Sequence, residues 1–300
     1  MNHSDVCRSG FVAIVGRPNV GKSTLLNALV GEKISIVSAK PHTTRHRILG
    51  VLNRAAAQAV FVDTPGHTMR SKQVLHRLMA RAIHQAIEDC DLILLVIEAP
   101  RVKQEDRKLL ELLSAHAERT ILVINKIDRV ADKTGLLPLL QELQTYAFLA
   151  YVPVSARKGT SLDHLADEIV KHLPAGAALF PEEMSTDKDA RFRAAELIRE
   201  QLFAHLHEEI PYGLTVEVEH MGREESGRWR VHGLIWLDKE SHKPIVIGKE
   251  GQSLKRVGSA ARRELIALLG GRVHLELWVK IREHWYDNER ELHRLGFDAS

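Results

Sequence analysis

Gly16-Arg17-Pro18-Asn19-Val20-Gly21-Lys22-Ser23 fits the spacing G-x-x-x-x-G-K-[ST], with Thr24 next in the chain. These residue types at this spacing cradle phosphate. Glycine lets the backbone close around an anion with its N–H groups pointing inward. Lys22 has the reach and charge for β- and γ-phosphates, and Ser23 carries a hydroxyl suited to Mg²⁺. An apolar run, Phe11–Val15, precedes the loop, and a helical pattern with Leu25, Leu26 and Leu29 follows it. That context aims the positive end of a helix at the same anion.

Further polar groups follow apolar runs downstream. Asp63-Thr64-Pro65-Gly66 closes the run Ala59–Val62 and fits D-x-x-G. Here the carboxylate is expected to hold Mg²⁺ through water, and the Gly66 N–H to meet a γ-phosphate. Asp132-Lys133-Thr134-Gly135 fits the same spacing but follows no apolar run, so we read it as accidental. Asn125-Lys126-Ile127-Asp128 ends the run Thr120–Ile124. A carboxylate accepts two hydrogen bonds, and guanine offers N1–H and N2–H₂ on one edge. Adenine offers no such pair, so Asp128 is expected to select GTP over ATP. Lys126 is expected to pack over the base. A backbone N–H at Ser155-Ala156, after Tyr151–Val154, is expected to meet guanine O6. The polar stretch 40–47 holds Thr43 and Thr44. A loop hydroxyl that joins Mg²⁺ only when a γ-phosphate is present makes a switch, and we favour Thr44 for it. Phosphoryl transfer needs positioning and charge stabilisation rather than a dedicated base, so Lys22, Thr44 and Gly66 are the catalytic candidates.

Those groups need a sheet to hold them. The runs Phe11–Val15, Ile48–Leu52, Ala59–Val62, Leu92–Ile97, Thr120–Ile124 and Tyr151–Val154 are apolar at consecutive positions, as strands buried on both faces should be. Helical patterns such as Ser71–Glu88 and Lys103–Ala117 lie between them. The pattern predicts a doubly wound α/β domain over residues 11–173, its ligand at the carboxyl ends of the strands. Residues 1–10 read as a flexible N-terminus and 174–187 as a linker. Over 188–300 the order changes to helix (Asp187–Glu209), two strands (Leu214–His220 and Trp229–Leu237), a glycine turn after the short run Ile245–Ile247, helix (Ser253–Leu269) and strand (Val273–Ile281), with a final helix at Asn288–Leu295. The turn Gly248-Lys249-Glu250-Gly251 is a G-x-x-G that opens a helix. Such a turn lets sugar-phosphate approach the backbone at a positive helix end. Residues 181–300 carry 19 Lys+Arg against 22 Asp+Glu, which argues against a nonspecific nucleic-acid binder. Residues 243–263 carry six basic residues, Lys249, Lys255 and Arg256 among them, and one acid, Glu250. That local excess suits a confined footprint.

The 300 residues, 44% hydrophobic and 27% charged, suffice for two ordinary cores. A net charge of +3 argues for no partner by itself, and two cysteines form no disulfide framework, which reads as a reduced cytoplasmic setting. No apolar run approaches the ~18 residues of a membrane span.

The motifs GRPNVGKS, the Thr-Thr-Arg run, DTPG, NKID and SA occur in the order found in the Ras-like GTPases, and the chain resembles their Era branch. There a GTPase domain with a mostly parallel sheet precedes a smaller α+β, type II KH-like domain, whose G-x-x-G loop clamps single-stranded RNA. The tail Leu275–Lys280, Trp285 and Asp287–Arg290 resembles the branch's C-terminal segment. The resemblance implies GTP/GDP with Mg²⁺, and binding to the 3′ end of 16S rRNA during 30S subunit assembly. It also implies a K⁺ near Asn19 in place of an arginine finger, and peripheral membrane contact. We expect a monomer. His67 departs from the branch, where the residue after DTPG is usually apolar; D-T-P-G-H resembles translational GTPases, and His67 would orient the attacking water. The alternative reading is a GTPase whose C-terminal domain docks a protein or membrane partner.

Overall fold

In a computed structural model, which describes residues 7–38, 40, 43–66 and 74–297, the consecutive apolar runs form one sheet. Its strands are β1 (Arg8–Val15), β2 (Ile48–Arg54), β3 (Ala57–Asp63), β4 (Leu92–Glu98), β5 (Thr120–Asn125) and β6 (Ala150–Pro153). The order is β2-β3-β1-β4-β5-β6, and β2 alone among the described strands of this sheet runs antiparallel to its neighbour. The interior strands β3, β4 and β5 are buried almost throughout, as the runs require. One face packs on α1 (Lys22–Val30) and α5 (Leu162–His172). The other packs on α2 (Val74–Asp89), α3 (Gln104–Leu113) and α4 (Leu137–Leu143). β1 lies between β3 and β4, so the chain order reverses there and opens a crevice at the strands' carboxyl ends.

Several expected boundaries move. Strand β1 starts at Arg8, so residues 8–10 are not a flexible terminus; Arg8 N–H bonds Ala56 O at 3.0 Å and Ser9 N–H bonds Pro174 O at 3.1 Å. Residues 174–187 form a strap rather than a free linker. The Gln58 amide, nearly fully buried, accepts from the N–H groups of Leu179 and Phe180 and donates to Phe180 O, and Val51 N–H bonds Ser185 O. The first residues expected in the helix Ser71–Glu88 lie outside the described residues. The Lys103–Ala117 helix is shorter and gives way to a 3-10 turn over Ser114–Arg119. Ile245–Ile247 belongs to a one-turn helix, α7 (Lys243–Ile247).

The second unit runs α6 (Ala190–His205), β7 (Leu214–Arg223), β8 (Trp229–Leu237), α7, α8 (Gln252–Leu269), β9 (Val273–Ile281) and α9 (Glu289–Arg294). Its sheet order is β7-β8-β9, with β7 antiparallel and β9 parallel to β8. Asp189 caps α6 by accepting from Phe192 N–H at 2.8 Å. The expected Asp187–Glu209 helix is therefore trimmed at both ends.

Helix α6 is buried on two sides. Ala194, Leu197, Ile198 and Leu202 enter the core of the second unit. Glu196, Arg199, Glu200 and Phe203 are buried too, and face Lys33, Val37, Thr43 and Arg45 of the first unit. The C-terminal segment adds a further seam, where fully buried Trp285 packs with Leu75, Met79, Leu292 and Phe297. His46 sits at this junction, its ring stacked 4.0 Å from Phe297 and its Nδ1 3.1 Å from Gly296 O. Burial, helped by Arg199 and Lys188, pushes the His46 imidazole down to about 4, against Glu196 and the Gly296 carbonyl. An unfolded histidine titrates near 6.5. Protonation thus favours the unfolded chain: this share of stability is intact above about pH 6.5 and is lost as pH falls toward 4. The urea midpoint of the wild type should fall between pH 7.5 and 5 by the equivalent of about 2 kcal/mol more than that of His46→Phe.

Candidate functional site

The P-loop leaves β1 at Gly16 and enters α1 at Lys22. Gly21 has φ 102°, and a Cβ there would stand 2.4 Å from Asn125 Nδ2, so glycine is required on two grounds. Asn19 adopts the left-handed region at φ 64°, which Asn tolerates better than most residues. Lys22 is buried and folds onto the loop, its Nζ donating to Gly16 O at 3.0 Å and Arg17 O at 3.2 Å. Burial lowers its ammonium to about 8, opposed by Asp63 and reinforced by Arg17. It remains mostly cationic at neutral pH.

Three oxygens expected to act together meet beside the loop. Ser23 Oγ lies 2.9 Å from Thr44 Oγ1 and donates to Asp63 Oδ2 at 2.9 Å. Asp63 Oδ2 also accepts from Ser35 Oγ at 2.9 Å, a partner the sequence reading missed. Burial raises the Asp63 carboxyl, against Lys22 and the two serines. Asp63 Oδ1 is buried with no hydrogen-bond partner among the described residues. A free carboxylate oxygen beside two hydroxyls is a hard-oxygen donor set, which fits Mg²⁺ and its waters. Thr64 is anchored to Ile14 O, and Gly66 packs on Pro18 at the cavity wall. His67 lies outside the described residues.

The base-reading end is braced by Asn125. Its Nδ2 donates to Val20 O at 2.9 Å, while Oδ1 accepts from the N–H groups of Lys126 and Ala156 at 2.8 and 3.1 Å. The Ala156 N–H thus cross-braces β5 and the 155–156 turn. Ser155 Oγ donates to Asp128 Oδ1 at 2.6 Å and so holds that carboxyl below its usual range. Glu98, at the end of β4, was not anticipated. Its carboxylate joins Lys126 Nζ at 2.9 Å, Arg17 at 2.8 Å and Arg129 at 3.1 Å, tying the P-loop to the lysine expected over the base. Although burial opposes it, Lys126 and Arg17 hold Glu98 below the carboxylate range. Lys22, Ser23, Thr44, Gly66, Asn125 and Asp128 line one cavity of about 770 Å³. Asp132 is spent elsewhere, capping its own turn at Thr134.

In the second unit Gly248 has φ 77°, and a Cβ there would lie 2.8 Å from Ser253 N. Glu250 and Gly251 also take positive φ, which turns the loop into α8. Lys249, Glu250 and Arg256 are exposed. A groove beside the loop has an apolar floor of Leu254, Leu275 and Leu277, with Gly251, Lys255 and Arg262 at its edges. Arg262 belongs to the basic cluster over 243–263, whereas the leucines of the floor carried no signal as site residues, because the groove exists only once α8 packs on β9.

Residues 11–126 match the family model described as a 50S ribosome-binding GTPase, and residues 209–286 match the KH domain model. GTPase Era of Yersinia enterocolitica and that of Yersinia pestis are each 46% identical over 289 residues, covering 96% of this chain and 95% of theirs. The chain belongs to the Era family of GTPases. Two solved Era structures, each at 41% identity and TM-score 0.92, cover 97% of this chain and 99% of theirs. One is an Aquifex aeolicus Era variant bound to GDP and AlF₄⁻; the other is Era in complex with MgGDPNP and nucleotides 1506–1542 of 16S ribosomal RNA.

In this Era-family site, Asp128 faces a chemically simple test. An amide offers one donor and one acceptor, which suits xanthine's C2 carbonyl and N1–H rather than guanine's two donors. Asp128→Asn should cost two charge-assisted hydrogen bonds, roughly 10²–10⁴-fold in GDP affinity, and gain affinity for XDP. Competition binding of GDP against XDP checks this.

Proposed function

We propose that this Era-family GTPase is a nucleotide-gated switch that binds the single-stranded 3′ end of 16S rRNA and assists assembly of the 30S subunit. The observation that carries this reading is the pairing, in one chain, of a guanine-nucleotide cavity with a G-x-x-G groove, the two joined through α6. The Era structure holding a 16S fragment and a GTP analogue together supports it.

In the nucleotide site, Lys22 donates to the β- and γ-phosphate oxygens while the N-terminus of α1 faces the same charge. Ser23, Thr44 and Asp63 would hold Mg²⁺, which supplies charge neutralisation on the phosphates when bound. Gly66 contributes its N–H on the γ-phosphate side. Asp128 selects guanine, and Lys126 covers the base. At the groove, Gly248–Gly251 let a phosphate close on the backbone, Lys249, Lys255 and Arg256 supply charge, and the leucine floor receives bases.

Crosslinking in cells, mapped to single nucleotides, tests the RNA assignment. Signal at the 3′ end of 16S rRNA, lost in Gly248→Asp, is expected; signal confined to other RNA, or none, overturns it. Gating predicts RNA affinity that differs between the GDP-bound and GDPNP-bound protein, and equal affinity removes it. We further infer a K⁺ site at Asn19, a reading that its position at the turn of the P-loop, in a left-handed conformation, supports. GTP turnover should be faster in KCl than in NaCl at equal ionic strength, and Asn19→Ala should abolish the difference.

A further inference from the structure

The loop that carries Thr44 is gripped from the second unit on both sides of that residue. Before it, Arg199 Nη2 donates to Thr43 O at 2.6 Å. After it, the Arg45 guanidinium donates to Leu214 O at 2.7 Å and to Pro211 O and Tyr212 O at 3.0 Å each. Thr44 itself points the other way, to Ser23. Arg199 is 1% exposed and Glu196 5%. Glu196 accepts from Arg199 Nε at 2.7 Å and from Nη2 at 2.5 Å, which fixes the plane of the guanidinium. A single nitrogen, Nη2, thus spans the Glu196 carboxylate and the Thr43 carbonyl.

We propose that Arg199, oriented by Glu196, is a positioning residue for Thr44: from the KH-containing unit it sets the switch loop in the conformation that meets the γ-phosphate side of the nucleotide. The proposal rests on the reading of Thr44 given above. Its physical basis is the backbone. A peptide carbonyl held at residue 43 and a side chain held at residue 45 leave the intervening Thr44 little freedom, so its hydroxyl is presented at low entropic cost. GDP lacks the group that Thr44 would serve. The contribution of Arg199 therefore appears in the affinity for a GTP analogue and not in the affinity for GDP.

The test is equilibrium binding of GDPNP and GDP to the full chain in Mg²⁺ buffer. The variants are Thr44→Ala, Glu196→Gln with Arg199→Met, Glu196→Gln alone, and Arg193→Ala. The paired variant removes both buried charges together, so that no lone carboxylate is left inside. It should weaken GDPNP about tenfold with GDP within about twofold, the scale of one charge-assisted hydrogen bond. Glu196→Gln keeps Arg199 and the local volume but loosens its anchor, and should move the ratio the same way by about threefold. It carries the test if the paired variant does not fold. Arg193→Ala removes another contact between α6 and the loop, to Glu32 at 2.5 Å, and should leave the ratio unchanged. If Thr44→Ala shifts the GDPNP/GDP ratio while the Glu196 and Arg199 variants do not, or if they weaken both nucleotides equally, the positioning role is overturned. If Thr44→Ala leaves the ratio unchanged, the reading of Thr44 itself falls.

Discussion

The buried guanidinium of Arg45, bonded to three carbonyls of the chain entering β7, makes one body of two units. Burial and the neighbouring Arg199 lower it to about 9, and it remains a cation at neutral pH. An ion taken out of water persists only where partners satisfy it. Here the partners are backbone carbonyls that would themselves lack donors. The rings of Phe203 and Trp285 stand 5.6 and 5.9 Å from it. Moving the KH-containing unit off the GTPase unit would strand a charge and three acceptors at once. The junction has a defined geometry for that reason, and the loop between α1 and β2 inherits it.

That loop takes neighbours from beyond residue 189. Lys33 reaches Glu200 on α6 at 2.6 Å and Glu264 on α8 at 2.9 Å. Val37 N–H bonds Glu200 at 2.9 Å. Helix α8 is also the helix that the G-x-x-G turn opens. The segment proposed to sense the γ-phosphate therefore touches the element that would hold RNA, through short contacts with no intervening linker. The exposed pair of Lys33 and Glu264 contributes little energy; the buried contacts of α6 would carry the coupling that the proposed switch requires.

The rest of the nucleotide site is built for rigidity. Asn125 links three segments, and Glu98 gathers three cations around the base-reading end. Gly21 and Asn19 hold conformations that most residues avoid. Groups arranged in this way lose little freedom when a nucleotide arrives, which is what positioning catalysis requires.

The sequence by itself determined the parts whose physics is local. Strands buried on both faces must be apolar at consecutive positions, and these runs marked the sheet to within a few residues. A P-loop, an N-K-x-D turn and a G-x-x-G turn bring their residues together in the chain, so Lys22, Ser23, Asp128 and Gly248 stood out as candidates directly, and Asp63 did so once the apolar run before it separated it from Asp132. Only the tertiary structure decided what lay opposite. Ser35 and Glu98 carry no motif. The Glu196–Arg199–Glu200 face of α6 broke the helical stripe as ordinary solvated charge would, yet it is buried against residue 43, some 150 positions earlier. The strap over 174–187 read as a linker because its anchors, such as Gln58, sit in another strand. Partners so distant in the chain leave no period or spacing, since their pairing is set by the packing of whole elements.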